Sequence, residues 1–556
     1  MRPIYLLSML AALCMSCGAK TPSECAPHTD ELRVSLVSLP NTLDWSRSNE
    51  TSWVNYPVMH AMMRGLTTLD AQYKPVPGLA ERWEITLSTE APPKQIYTFH
   101  LRQDITWSDG KTPLRAQDFV LAWRRAILGN EPVEMADLVG ADEVFSLRES
   151  TTLPADEKQQ KLTAALAALG VEATDDHTLK VTLKAPKSYF LARLAFVYPF
   201  FPSPSQDLEG KSEAEIQRYF DEPKEGKPMV LGAFTVSSWD RVAQTLTMTP
   251  NKFDKDTPKA GRPQKLTLLH AELAPLLYEQ CKLDFYFVDD PSALRGAPKD
   301  MQRRPLLSTY WLGFNTAKVP LKLRQAISYG LDRQGLLAGL LPEARPAFGY
   351  LPPALPGGVT AEDPMAKGFP RFDLGGAKTL LQAGGYQGEE LSLLVKGAET
   401  FLPETGIADA LKEQLGALGI KVRVQTTSNF ASDLKGADGS IRYELFLRRV
   451  GADYAHPQTF FTPFGARGPN YTGWQTLDGG APLRDFERLL AQGAATQDET
   501  EAKRAYTEAQ TLLLSTHTIM VPLYYPDRYY RARPWIEGLS VDAFNFLTLR
   551  DVHVKQ

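Results

Sequence analysis

The chain of 556 residues is poor in the groups from which metal and covalent catalysis are built. Four cysteines and eight histidines are scattered along it, and no set of them has the spacing of a zinc site. Equally missing are a G-x-S-x-G elbow, an H-E-x-x-H pair, a Walker phosphate loop and a G-x-G-x-x-G turn after a strand. Excess charge is lacking too: 61 Lys and Arg stand against 65 Asp and Glu, a net charge of −4 that excludes a strongly basic nucleic-acid binder. Beyond the first 15 residues no apolar run is long enough to cross a bilayer, which excludes a polytopic membrane protein. There is no low-complexity tract and no repeat of fixed period. What is present is ordinary: 43% hydrophobic and 23% charged residues, enough to bury large cores over several domains.

The N-terminus departs from that average. Arg2 precedes an almost wholly apolar stretch over residues 4–15, closed by Ser16-Cys17-Gly18. One cation, a short apolar segment and small residues describe a secretory signal peptide over 1–16. Its end resembles a bacterial lipoprotein cleavage site, with Cys17 as the lipid attachment, although Cys14 stands where that pattern prefers Leu. The competing reading is a plain secreted protein cut near the same place. Residues 17–31, polar and Pro-containing, read as a tether carrying Cys25. Whether Cys25 pairs with Cys281 is left open, since distance cannot be read from sequence.

Apolar alternation predicts strands over residues 32–36, 97–101, 178–183, 391–395 and 443–447. Helical periodicity covers 116–126, 157–169, 323–331, 407–418 and 499–514. Their interleaving predicts an α/β, mixed α+β, class. Residues 203–228 and 341–369 read as loop-rich. The paired acids Asp175-Asp176 and Asp289-Asp290 read as solvated turn residues, and His60, His100 and His177 stand alone. Nothing in the chain argues for an enzyme, a cofactor or a metal.

Several short motifs follow one another at close spacing. Pro77-Gly78-Leu79-Ala80-Glu81-Arg82-Trp83-Glu84 leads to Tyr97-Thr98-Phe99-His100-Leu101-Arg102, then Trp107-Ser108-Asp109-Gly110-Lys111 and Ala116-Gln117-Asp118-Phe119-Val120. Later come Leu231-Gly232-Ala233-Phe234, Gly313-Phe314-Asn315-Thr316 and Val521-Pro522-Leu523-Tyr524-Tyr525. Together they resemble the bacterial family 5 extracellular solute-binding proteins, the receptors of oligopeptide and dipeptide ABC importers. The resemblance implies a two-lobed periplasmic-binding-protein-like fold, an extra subdomain inserted in the first lobe and a ligand cleft between the lobes. By analogy the first lobe takes 32–62, 199–308 and 527–556, the inserted subdomain 63–198 and the second lobe 309–526. It implies as partners a peptide ligand, membrane permease subunits and, through the lipid, the membrane itself. It also implies a monomer in the periplasm or at the cell surface, without nucleic acid.

The ligand residues follow from the same resemblance. Gly451-Ala452-Asp453-Tyr454-Ala455-His456-Pro457 matches the segment whose Asp pairs with a peptide's α-ammonium, which assigns that role to Asp453, with Val450 and Gly451 ahead of it. A capping acid on the following turn is the plainer alternative. Leu447 falls where the best-known oligopeptide binder has a cleft Arg; Arg448 adjoins it, but one step along a strand turns a side chain to the other face. Asn429 and Pro403 fall near two further ligand contacts, and Trp53 lies in a loop whose counterpart touches peptide backbone. Trp311 reads equally as a residue shaping the ligand site and as a core aromatic. Ser308 and Gly451 occupy the places of that protein's disulfide. Other solutes (nickel chelates, haem, oligosaccharides, opines) and a peptide-sensing or chaperone lipoprotein remain as alternatives; a surface hydrolase ranks last because no nucleophile–base pair can be assembled.

Overall fold

The computed structural model describes residues 25–27, 30–47, 55–129, 135–224, 226–288, 298, 300–338, 340–341, 344–397, 404–436, 438–466, 468–496 and 498–555. Strand β1 (Glu31–Leu36) is followed by an excursion that forms its own antiparallel sheet. That sheet contains β2 (Ala80–Leu87), β3 (Gln95–Leu101), β4 (Val171–Asp175) and β5 (Thr178–Leu183), in the order β2-β3-β5-β4. In β3 every second side chain is buried, the pattern of a sheet with one wet face.

The chain then returns to β1 with β6 (Phe234–Asp240), β7 (Thr245–Pro250), β8 (Lys265–His270), β9 (Phe285–Val288) and β10 (Met301–Pro305). Next it builds β11 (Ser308–Phe314), β12 (Arg345–Pro346), β13 (Leu391–Lys396), β14 (Val422–Thr427), β15 (Leu445–Gly451) and β16 (Met520–Tyr525), and it comes back as β17 (Asp527–Ala532). Two large mixed sheets result, ordered β10-β17-β9-β1-β8-β7-β6 and β12-β16-β11-β15-β13-β14. The chain passes between them twice, at residues 306–307 and at Pro526. β13, next to the edge strand and parallel to both neighbours, is buried along nearly its whole length, as strands covered on both faces are.

In the second large sheet the two faces serve different cores. Leu312, Phe314, Leu445 and Leu447 join a helix-covered core with Leu393 and Leu411. Trp311 and Phe446, on the opposite face, join the larger core that continues into the rest of the protein.

Helix Ala116–Ala126 and strand β5 have the predicted bounds, and the other predicted elements shift by a few residues. The stretch 203–228 is a correction. It holds a helix, Glu213–Asp221, opened by a capping box in which Glu215 accepts from both the N–H and the hydroxyl of Ser212. The S-x-x-E signature was legible there, but surrounding Pro and Gly obscured it.

The pairing left open above is made. Cys25 is 7% exposed and disulfide-bonded to Cys281, with Cα atoms 5.6 Å apart, so the chain is fastened to the fold ahead of β1. The pairing spans 256 positions, a separation across which local patterns carry no distance information.

Candidate functional site

β13, β14 and β15 run parallel and end at one edge of their sheet, the end at which open α/β sheets collect ligand-binding loops. Asn429 lies two residues past the end of β14 and is exposed, its N–H donated to Thr427 Oγ1 at 2.9 Å. Asp453 lies two residues past the end of β15 and is half-buried. Glu404 opens the helix Glu404–Ala417, and its carboxylate accepts the N–H of Lys396, the last residue of β13, at 2.9 Å. Burial pushes the Glu404 carboxyl up, against the lowering effect of that hydrogen bond and of Arg448.

β15 is paired unequally. Along one side β11 accompanies it from Leu445 to Gly451, Ser308 standing opposite Gly451. Along the other side β13 pairs only with Leu445 and Phe446. From Arg448 to Gly451, therefore, no described strand occupies that side. The burial pattern changes at the same point, from buried through Leu447 to half-buried over Arg448–Gly451.

Asp453 Oδ2 accepts from Thr459 Oγ1 at 2.8 Å, and its N–H is donated to the same hydroxyl. The short helix Gln458–Phe461 starts from Pro457, which offers no side-chain cap. The residues on either side of Asp453 are held. Ala452 donates its N–H to Leu307 at 2.9 Å, and Tyr454 is 2% exposed.

Leu447 points into the helix-covered core at 1% exposure, and Arg448 emerges on the opposite face. There its guanidinium lies 4.7 Å from the Phe430 ring centroid and 5.1 Å from that of Tyr471. Arg448 and Trp311 are cross-strand partners. Of the two readings of Trp311, the core aromatic agrees with its surroundings: it is 2% exposed and packs on Tyr350, Phe446 and Phe464. Ser308 donates to the carbonyl of Val450 at 2.6 Å and accepts from Arg449. Trp53, Pro403, Cys17 and the pair Asp289-Asp290 lie outside the described residues.

A cluster that sequence reasoning missed adjoins this edge. Arg193, on the helix Phe190–Phe196, donates to Tyr454 Oη and to Asp137 Oδ2, both at 3.0 Å. Tyr189 also donates to Asp137, at 2.9 Å, and Lys187 stands 3.4 Å away. Burial acts to raise the Asp137 carboxyl, but Arg193, Lys187 and Tyr189 outweigh it and hold it below the usual range. His456 sits against Tyr189, with Ser188 Oγ at 3.3 Å and Tyr506 Oη at 3.4 Å. Burial, then the charges of Arg193 and Lys187, lower its pKa to about 3 and keep it neutral. Residues 187–193 and 453–457 are some 260 positions apart, and neither shows a periodicity that pairs them.

A separate cavity of about 700 Å³, lined by Tyr56, His60, Arg64, Tyr73, Asp542 and Arg550, includes none of the predicted site residues. Among the described residues no group of His, Cys, Asp and Glu has the arrangement of a metal site.

Comparison with known proteins fits this geometry. The model of the bacterial extracellular solute-binding proteins, family 5 middle region, matches residues 74–472. The chain belongs to this family. As a family 5 protein it is 26% identical over 503 residues to the periplasmic oligopeptide-binding protein OppA of Escherichia coli, covering 86% of this chain and 84% of that one. It is 25% identical to YgiS of the same organism, a probable deoxycholate-binding periplasmic protein by name, over 99% and 98% of the two chains. Among solved structures, the E. coli murein tripeptide binding protein MppA superposes with a TM-score of 0.70 at 23% identity, covering 96% of this chain and 99% of that one. The fold is accordingly the bilobed, mixed α/β fold of family 5. Membership in a family of binding proteins agrees with the expectation of a non-enzyme.

Proposed function

We propose that the chain is the peptide receptor of an ABC importer, capturing peptides between its lobes and delivering them to a membrane permease. The side of β15 along which no described strand runs past Phe446 carries this reading. An extended peptide laid along Arg448–Gly451 would add a strand there, gaining affinity from main-chain hydrogen bonds that do not read side chains. Asp453, just past that edge, would pair with the peptide's α-ammonium and set its register. Val450 and Gly451 supply backbone, Arg448 and Asn429 flank the ligand, Trp53 completes the set, and Trp311 supports the site from behind.

The proposed lobes are those of the sequence reading, with first-lobe segments 32–62, 199–308 and 527–556, the insertion 63–198 and the second lobe 309–526. Crossings at 306–307 and Pro526 support these limits. Cleavage before Cys17 and its acylation would hold a monomer at the outer face of a membrane, in the periplasm or on the cell surface.

The test is mass spectrometry of the solute that co-purifies with the mature protein, followed by calorimetry on Asp453→Ala. Free-amine peptides should be recovered, and the variant should lose about 3–5 kcal/mol of binding free energy. Equal affinity in the variant would refute the anchor. A second reading, an amphipathic steroid or other non-peptide solute, is favoured only by the likeness to YgiS, and its recovery would replace the peptide reading.

A further inference from the structure

We infer that Arg193 is a positioning residue for the ammonium site, setting Asp453 through Tyr454. The inference rests on the function proposed above and adds a residue from the inserted segment to a site otherwise built from the second large sheet.

Thr459 holds the Asp453 carboxylate directly, and the backbone around Asp453 is fixed from two further directions. On its N-terminal side, Ala452 is bonded to Leu307 in one of the two crossings between the sheets. On its C-terminal side, the phenol of Tyr454 receives the Arg193 hydrogen bond. Arg193 is 6% exposed, and its guanidinium lies 4.7 Å from the Tyr189 ring centroid and 5.2 Å from that of Tyr454, so it lies against both rings, whose own centroids are 5.8 Å apart. Asp137 fixes it from behind. A planar guanidinium can bond a carboxylate and a phenol at once while stacking on aromatic rings; an ammonium offers no such fork. The ion pair with Asp137 would serve the fold by itself. The additional bond reaches out of that element, across 261 positions, to the residue that follows the proposed anchor. Parting of the lobes would break this bond while the Ala452 bond to the crossing remained. The segment carrying the carboxylate, with Thr459 bonded to it, would then reach its ligand-bound position as the lobes close, and Arg193 would couple closure to capture.

The experiment uses the full mature chain with tri-alanine and N-acetyl-tri-alanine as probes and reads the ratio of their affinities by calorimetry. Tyr454→Phe removes one hydroxyl, and Arg193→Lys keeps the charge but not the fork; melting curves confirm that both fold. Each should lower the preference for the free amine about tenfold, the scale of a hydrogen bond to a charged group. The double variant should fall no further than either single one, as expected for two partners of one contact. A merely structural role would lower melting temperature and leave the ratio unchanged. If Asp453→Ala abolishes the preference while Tyr454→Phe and Arg193→Lys retain it, the anchor stands and the role of Arg193 is overturned. If Asp453→Ala retains the preference, the anchor fails and this inference fails with it.

Discussion

The backbone N–H of Leu306 donates to the carbonyl of Pro526 at 3.1 Å, which ties the outgoing and returning crossings between the two large sheets side by side. The next residue, Asp527, has a side chain 1% exposed, with Arg303 Nε at 2.8 Å and Arg345 Nη2 at 3.7 Å. Arg303 belongs to β10 in one sheet and Arg345 to β12 in the other, so one buried carboxylate faces a cation from each. Hinge motion of the lobes would turn about this point.

Asp527→Asn should therefore destabilise the protein. The amide keeps the shape but cannot answer the Arg303 guanidinium, and the expected loss is about 2–3 kcal/mol in urea unfolding at neutral pH. An unchanged midpoint would show that solvent, which reaches part of Arg303, already compensates its charge.

Cys281→Ser should release the segment ahead of β1. Without the disulfide, the first strand pairing among the described residues is Glu31 with Lys265. Limited proteolysis should then cut between Cys25 and β1 faster in the variant than in the oxidised wild type. The global stability loss should stay at or below about 5.5 kcal/mol, the chain-entropy limit for a loop of this length.

His456 makes stability depend on pH. Its pKa is lowered from 6.5 to about 3 in the fold, so the unfolded chain binds the proton more readily. The contribution is complete above about pH 6.5 and is lost progressively as pH falls toward 3, by at most about 1.4 kcal/mol per unit. His60, half-buried and stacked on Tyr56, is also lowered to about 3 and acts in the same direction. Asp542, pushed up to about 7 by burial, opposes both, losing stability as pH rises from about 4. Denaturation midpoints of His456→Gln at pH 7.5, 6 and 5 should accordingly fall less steeply than those of wild type.

Trp311 separates packing from binding. Trp311→Ala should cost about 3–5 kcal/mol of stability, the usual range for emptying a buried aromatic site. Trp311→Phe should leave affinity for the co-purified ligand unchanged, since the indole Nε1 makes no hydrogen bond among the described residues. A clear loss of affinity in the phenylalanine variant would place Trp311 in contact with the ligand.

Much of the architecture was legible because it is written in local periodicity. Alternation in β5 and the amphipathic run 116–126 each reflect a single buried face, and their limits agree with the fold. The position of Asp453 just beyond a strand was legible for the same reason, as was the reversal of facing between Leu447 and Arg448. The helix Glu213–Asp221 was missed because its flanking loop residues outweighed a correct capping signal.

The amino-acid sequence by itself determined the class of fold, the family and the absence of the usual catalytic motifs, since each depends on residue types and short-range order. It could not determine the Cys25–Cys281 bond, the short pairing of β13 with β15, or the contact of Arg193 with Tyr454. Each of these brings together groups far apart in the chain, and such distances are decided by how whole sheets pack.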